Sequence, residues 1–110
     1  MNEVSESDVY LVFATFPDEA TASALAEAVV TGGLAACVSV MAPCRSVYRW
    51  QGAIEQSAEI PVIIKTTAAR YGQLEAEIRR LHSYDVPEIV AVPVACGLPE
   101  YLGWVARETA

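Results

Sequence analysis

The feature that most restricts the fold of this chain is the order in which apolar runs of strand length alternate with helical stripes. Residues 9–16, VYLVFATF, form a short apolar, β-branched and aromatic run that reads as a strand. Pro17 ends it and Asp18 is placed to cap a helix, on which Ala22, Leu25, Ala26, Val29 and Val30 keep an i, i+3, i+4, i+7, i+8 stripe. Gly32-Gly33 supplies the helix stop. Residues 34–50 read as a long second strand, and Pro43 within it predicts a bulge or bend. Gln51-Gly52 is a tight-turn signal, so residues 53–66 are expected to return antiparallel, with Pro61 a local conflict. The spacing of Tyr71, Leu74, Ile78 and Leu81 predicts a second helix over 68–81, with Glu75 and Arg79 as a favourable i, i+4 pair. Residues 88–95 read as a fourth strand whose Pro93 suits a sheet edge. Pro99 then opens a last helix with Leu98, Tyr101, Leu102 and Val105 on one stripe.

The order is β-α-β-β-α-β plus a terminal helix, which is the split β-α-β, ferredoxin-like arrangement of the α+β class. Helices then cover one face of an antiparallel sheet and leave the other bare. Tyr48, Trp50, Ile54, Ile60, Val62 and Ile64 give both faces of the central strands apolar character. A partner subunit is the economical cover for such a face, and Ile64 is expected on it. The 110 residues suffice for one core and not for two. A single domain over 8–110 is expected, after a disordered polar lead at 1–7.

Charge narrows the partners. Fourteen acidic residues against seven basic ones give a formal charge of −7, without the basic footprint that binding to nucleic acid requires. The same charge disfavours anionic lipid surfaces. No apolar run approaches the roughly eighteen residues of a membrane span. Three cysteines and an acidic, polar start point to free thiols in the cytoplasm.

The chain has no Gly-rich phosphate loop, His-Glu-x-x-His, Gly-x-Ser-x-Gly or Cys-x-x-Cys. Acid–base chemistry would have to rest on the single histidine, His82, oriented by Asp85 or Glu88. A binding protein is therefore expected rather than an enzyme. Thiolates with imidazole suit copper or zinc, and Cys37, Cys44, Cys96 and His82 are the candidates. Cys37 and Cys44 are seven residues apart, which puts them on opposite faces of a regular strand unless a one-residue bulge intervenes near Pro43. Cys37 and Cys96 also suit small buried core positions, and His82 suits a helix C-terminus. Trp50 and Trp104 suit packing or interface anchors. Lys65, the one lysine, lies in an apolar strand and calls for a carboxylate partner or a ligand anion.

Four runs carry a resemblance to the CutA divalent-cation tolerance proteins: Leu34-Ala35-Ala36-Cys37-Val38, Ser46-Val47-Tyr48-Arg49-Trp50-Gln51-Gly52, Ile63-Ile64-Lys65-Thr66 and Leu81-His82-Ser83-Tyr84-Asp85-Val86-Pro87-Glu88-Ile89. Thr15-x-Pro17 and Tyr101-Leu102-x-Trp104 also match, so the likeness extends over about residues 9–105. The resemblance implies a ferredoxin-like fold in a tight homotrimer built by strand pairing between subunits. It also implies cytoplasmic proteins tied to tolerance of divalent cations, with copper binding and no firmly attached enzymatic activity. Carried over by position, it implies that Cys37 and His82 touch metal. Trp50, Glu59, Lys65, Tyr84 and Glu88 are implied to line a cleft between subunits. Some family members carry a cysteine where this chain has Ala14. The architecture is similar to that of PII signalling proteins, so the alternative is a sensor of a small anionic ligand, held by Lys65 beside Trp50, Tyr84 and Glu88.

Overall fold

A computed structural model describes residues 8–110; the lead expected at 1–7 lies outside the described residues. Strand β1 (Val9–Phe16) leads into helix α1 (Glu19–Thr31), followed by β2 (Cys37–Val40), β3 (Cys44–Trp50) and the 15-residue β4 (Ala53–Thr67). Helix α2 (Ala68–Leu81), β5 (Ile89–Pro93) and α3 (Pro99–Glu108) complete the α+β chain. The sheet order is β2-β4-β1-β5, with β3 paired to the outer half of β4 and every pairing antiparallel.

Local chemistry explains where the elements stop. Asp18 caps α1: its Oδ1 accepts from the Thr21 N–H at 2.8 Å and from the Thr21 hydroxyl at 2.8 Å. These two bonds, the backbone one foremost, hold the Asp18 carboxyl below the usual aspartate range. A depressed folded-state pKa contributes stability above the unfolded pKa and loses it as pH falls through the folded value. The drop in melting temperature caused by Asp18→Ala is therefore expected to be full at neutral pH and to shrink as pH falls below the carboxylate range. A melting series from pH 7 to pH 2.5 checks this, and a drop that does not change with pH would refute it. At the other end of α1, Gly33 at φ +74° turns the chain back. The β3–β4 hairpin closes through Gln51 (φ 51°) and Gly52 (φ 82°), both left-handed as a two-residue type I′ turn requires.

The strand expected over 34–50 is two strands, and their pairing shows why. Cys37 pairs with Lys65 and Cys44 with Glu59, so seven steps on one side span six on β4. The one-residue excess sits at 41–43. It returns both cysteines to the same face but leaves them about 20 Å apart along β4, at ~3.3 Å per residue. Pro61 lies opposite this break. Its carbonyl accepts from the Met41 N–H at 2.9 Å, so its nitrogen, which has no hydrogen to donate, faces the interruption rather than an intact ladder. Pro93 ends β5, which among the described residues pairs only with β1 and forms a sheet edge.

The main core lies between one sheet face and helices α1 and α2. Val12, Ala14 and Phe16 of β1 and Ile60, Val62 and Ile64 of β4 meet Leu25, Val29, Leu74 and Ile78 there. Ile64 thus belongs to the helix-covered face, a correction to its expected place on the bare one: strand alternation puts Ile63 there instead. Helix α3 covers only one end of the second face, where Val105 packs on Val9 and Ala36, and Thr109 meets Thr67 at 3.2 Å. Trp104 packs against this smaller cluster. The rest of that face presents Leu11, Phe13 and Ile63, with Val90 and Val92 of β5 51% and 45% exposed. The ion pair on α2 is Glu77–Arg80 at 2.7 Å, and the expected Glu75–Arg79 pair does not form among the described residues.

Candidate functional site

Beyond Glu59, β4 pairs with β3 alone among the described residues, so residues 44–59 project as a two-stranded arm. Alternation puts Ser46, Tyr48 and Trp50 of β3 on the same face as Glu55 and Glu59 of β4, and turns Arg45 and Arg49 away. The loop after α2 closes over this face and brings Tyr84, Asp85 and Glu88 to it. The result is a cleft of about 720 Å³ where the arm leaves the body, on the bare side of the sheet.

Glu59 is its most constrained member, at 7% exposure. Its Oε2 accepts from the Thr15 hydroxyl at 3.3 Å and from the Tyr84 hydroxyl at 3.2 Å. Burial, then the negative charge of Glu59 and the bond to it, push the Tyr84 phenol up, so it stays protonated and keeps donating. Oε1 accepts no hydrogen bond, and Glu59 forms no ion pair, among the described residues.

His82 holds the loop in place. The Tyr84 N–H donates to Nδ1 at 3.2 Å, so the proton is on Nε2, which donates to the Thr15 carbonyl at 2.6 Å. The imidazole stacks on Phe16 with centroids 4.7 Å apart and packs against the Tyr84 ring at 4.6 Å. Both ring nitrogens are thus engaged with backbone groups, and His82 is buried. The expectation that Asp85 or Glu88 orients the ring is not met: both line the cleft, and neither bonds the imidazole among the described residues.

Of the expected site residues, Trp50, Glu59, Tyr84 and Glu88 come together in the cleft. Lys65 and Cys37 do not. They pair across β2 and β4, where Lys65 Nζ donates to Ser39 Oγ at 2.8 Å and lies 3.7 Å from Cys37 Sγ. Of the two partners expected for the lysine, a carboxylate or a ligand anion, the first is replaced by hydroxyl and thiol neighbours among the described residues. The two metal candidates, Cys37 and His82, are held at opposite ends of the sheet, because Cys37 aligns with Lys65 while the His82 network ends on Glu59. All three cysteines are free, with Cys44 and Cys96 exposed. No group of three or more His, Cys, Asp or Glu gathers as a metal centre among the described residues. Sequence reasoning missed Tyr48 and Glu55, although the two-residue period through Trp50 and Glu59 points to both.

The fold and site define a class of small antiparallel α+β chain with a long hairpin arm and an acidic, aromatic cleft at its root. The family model described as CutA1 divalent ion tolerance protein matches residues 10–108, and the chain belongs to that family. The divalent-cation tolerance protein CutA of Thermus thermophilus is 41% identical over 99 residues, 90% of this chain and 96% of that protein. The human protein CutA is 40% identical over 101 residues, 92% of this chain and 56% of its own length. Among solved structures, CutA from Xylella fastidiosa superposes with a TM-score of 0.91 at 44% identity, covering 94% of this chain and 99% of that one. An Archaeoglobus fulgidus relative, 31% identical with a TM-score of 0.89 over 93% of this chain and 99% of its own, is described as a periplasmic divalent cation tolerance protein.

Proposed function

We propose that this chain is a homotrimeric, non-catalytic protein of divalent-cation tolerance that binds copper or another divalent ion in the acidic cleft. Glu59 carries the reading. A buried carboxylate with one oxygen free of donors and no cationic partner among the described residues is costly, and a cation removes that cost. Glu59 would hold the ion, with Asp85 and Glu88 on the same lining adding negative potential. The family's association with divalent ions supports the same reading.

Two features support the trimer. The unpaired arm is a two-stranded ribbon, marginal on its own, and Leu11, Phe13, Ile63, Val90 and Val92 form an apolar face that a second copy can cover. The strand order β2-β4-β1-β5 supports the ferredoxin-like topology. The non-catalytic reading rests on His82, whose two nitrogens are both engaged and so not available to shuttle protons. Free thiols support a reducing, cytoplasmic setting, and no helix among the described residues is long and apolar enough to cross a membrane. The anionic-ligand alternative lacks its cation, because Lys65 is turned to Ser39 and four carboxylates line the cleft.

Calorimetry tests the reading. Cu(II), at the head of the first-row affinity order, is expected to bind more tightly than Mg(II) or Ca(II). Glu59→Gln is expected to weaken Cu(II) by about tenfold, the loss of one charge-assisted contact. His82→Ala is expected to change it less. The opposite ranking would move the ion to the imidazole and sink the cleft assignment.

A further inference from the structure

The cleft distributes its negative charge in a way that one metal ion does not use. Glu55 and Glu59 lie four residues apart on one face of β4, about 13 Å at ~3.3 Å per residue. Asp85 and Glu88 stand on the loop side, and no three acidic or other ligating groups converge among the described residues. The space between these carboxylates is walled by aromatic rings. Tyr48 and Trp50 are half-exposed on the arm, and Tyr84 closes the loop side. Among the described residues no lysine or arginine lines the cleft. The buried Glu59 still offers Oε1 without a donor among the described residues.

Separated carboxylates with aromatic surface between them complement a molecule whose positive charges are separated by methylene groups. We infer that the cleft binds a linear aliphatic polyamine. One ammonium donates to Glu59 Oε1. The methylene segments lie along Trp50 and Tyr48, which bury apolar surface and attract the adjoining charges through their ring faces. The remaining ammonium groups reach Glu55 on one side and Asp85 or Glu88 on the other. A volume of about 720 Å³ suits a small organic ligand and greatly exceeds a bare ion. The inference rests on the reading of the cleft as a cation site, and it makes polyamine and metal ion competitors for Glu59.

Spermidine is the probe, titrated calorimetrically into the full chain in chelator-treated buffer at fixed ionic strength. Saturable binding is expected. Glu59→Gln is expected to weaken it by about tenfold or more, and Trp50→Ala by about three- to fivefold. Glu19→Gln removes the same charge from the exposed start of α1 and is expected to change affinity by less than about twofold, because screening confines its reach. Glu55→Gln, on the exposed arm, gives a second reading of the carboxylate contacts if Glu59→Gln disturbs the fold, with an expected loss of about threefold. Binding of Cu(II) without spermidine would overturn the inference and leave the metal reading standing. Equal losses for Glu19→Gln and Glu59→Gln would also overturn it, as diffuse attraction to a chain of charge −7. Failure of both ligands would overturn the cation site itself.

Discussion

Ile64→Asp is expected to leave no folded protein, while Ile63→Asp, one residue away, leaves a folded monomer. Ile64 is 0% exposed and packed in the core between the sheet and α1 and α2. A carboxylate there has no cation or water to meet and costs several kcal/mol, a large share of the roughly 5–15 kcal/mol that holds a domain together. Ile63 points to the other face, paired with Phe13 and Ser39. A charge there stays hydrated in the single subunit and is buried only when a second copy covers the face. Circular dichroism and light scattering together separate the two effects. Wild type is expected at about three times the 11.8 kDa chain mass. Ile63→Asp is expected at the mass of one chain with its helical signal intact. A trimer that tolerates Ile63→Asp would put the subunit interface elsewhere.

Phe16→Ala is expected to be the most costly truncation at the site. Phe16 is fully buried at the end of β1, and its ring is the surface on which His82 stacks. Removing it leaves a cavity worth about 3–5 kcal/mol, which lowers the melting temperature by on the order of 15 °C for a domain of this size. The damage also travels outward. His82 fixes the Thr15 carbonyl and the Tyr84 N–H, and Tyr84 fixes Glu59, so a loosened imidazole releases the phenol from its carboxylate. The Tyr84 phenol is then expected to titrate closer to the ordinary tyrosine range, which an ultraviolet titration against Tyr84→Phe resolves. A melting shift of only a few degrees, with the phenol unmoved, would detach the site from this core residue.

The legible part of this protein was the part governed by local chemistry. The Asp18 cap, the Gln51-Gly52 turn and the stripe from Tyr71 to Leu81 each follow from rules that act within a few residues, and helix 68–81 stands where the spacing puts it. Faces were harder. Ile60, Val62 and Ile64 alternate with Pro61, Ile63 and Lys65, and both series contain apolar residues, so sequence alone did not distinguish the core side from the bare one. The cleft was half visible: Trp50, Glu59, Tyr84 and Glu88 meet in it. Lys65 and Cys37 fall outside, since their positions depend on which strand pairs with which residue. The roles of His82 depended on hydrogen bonds to the backbone of residues 15 and 84, which no side-chain pattern encodes.

The surplus residue between β2 and β3 also turns the arm into a lever. Bulges bend and twist the strand that carries them, and this one sits where β4 leaves the shelter of β1. From there the arm extends about 23 Å, at ~3.3 Å per residue over seven residues, so a 10° change at its root moves the tip by roughly 4 Å. That displacement approaches the spacing between neighbouring strands, enough to misalign any ladder the tip makes with another copy. Pro61 opposes the break with a backbone angle that cannot swing. Three residues and one proline at the root therefore aim a hairpin tip more than twenty ångströms away, without touching it.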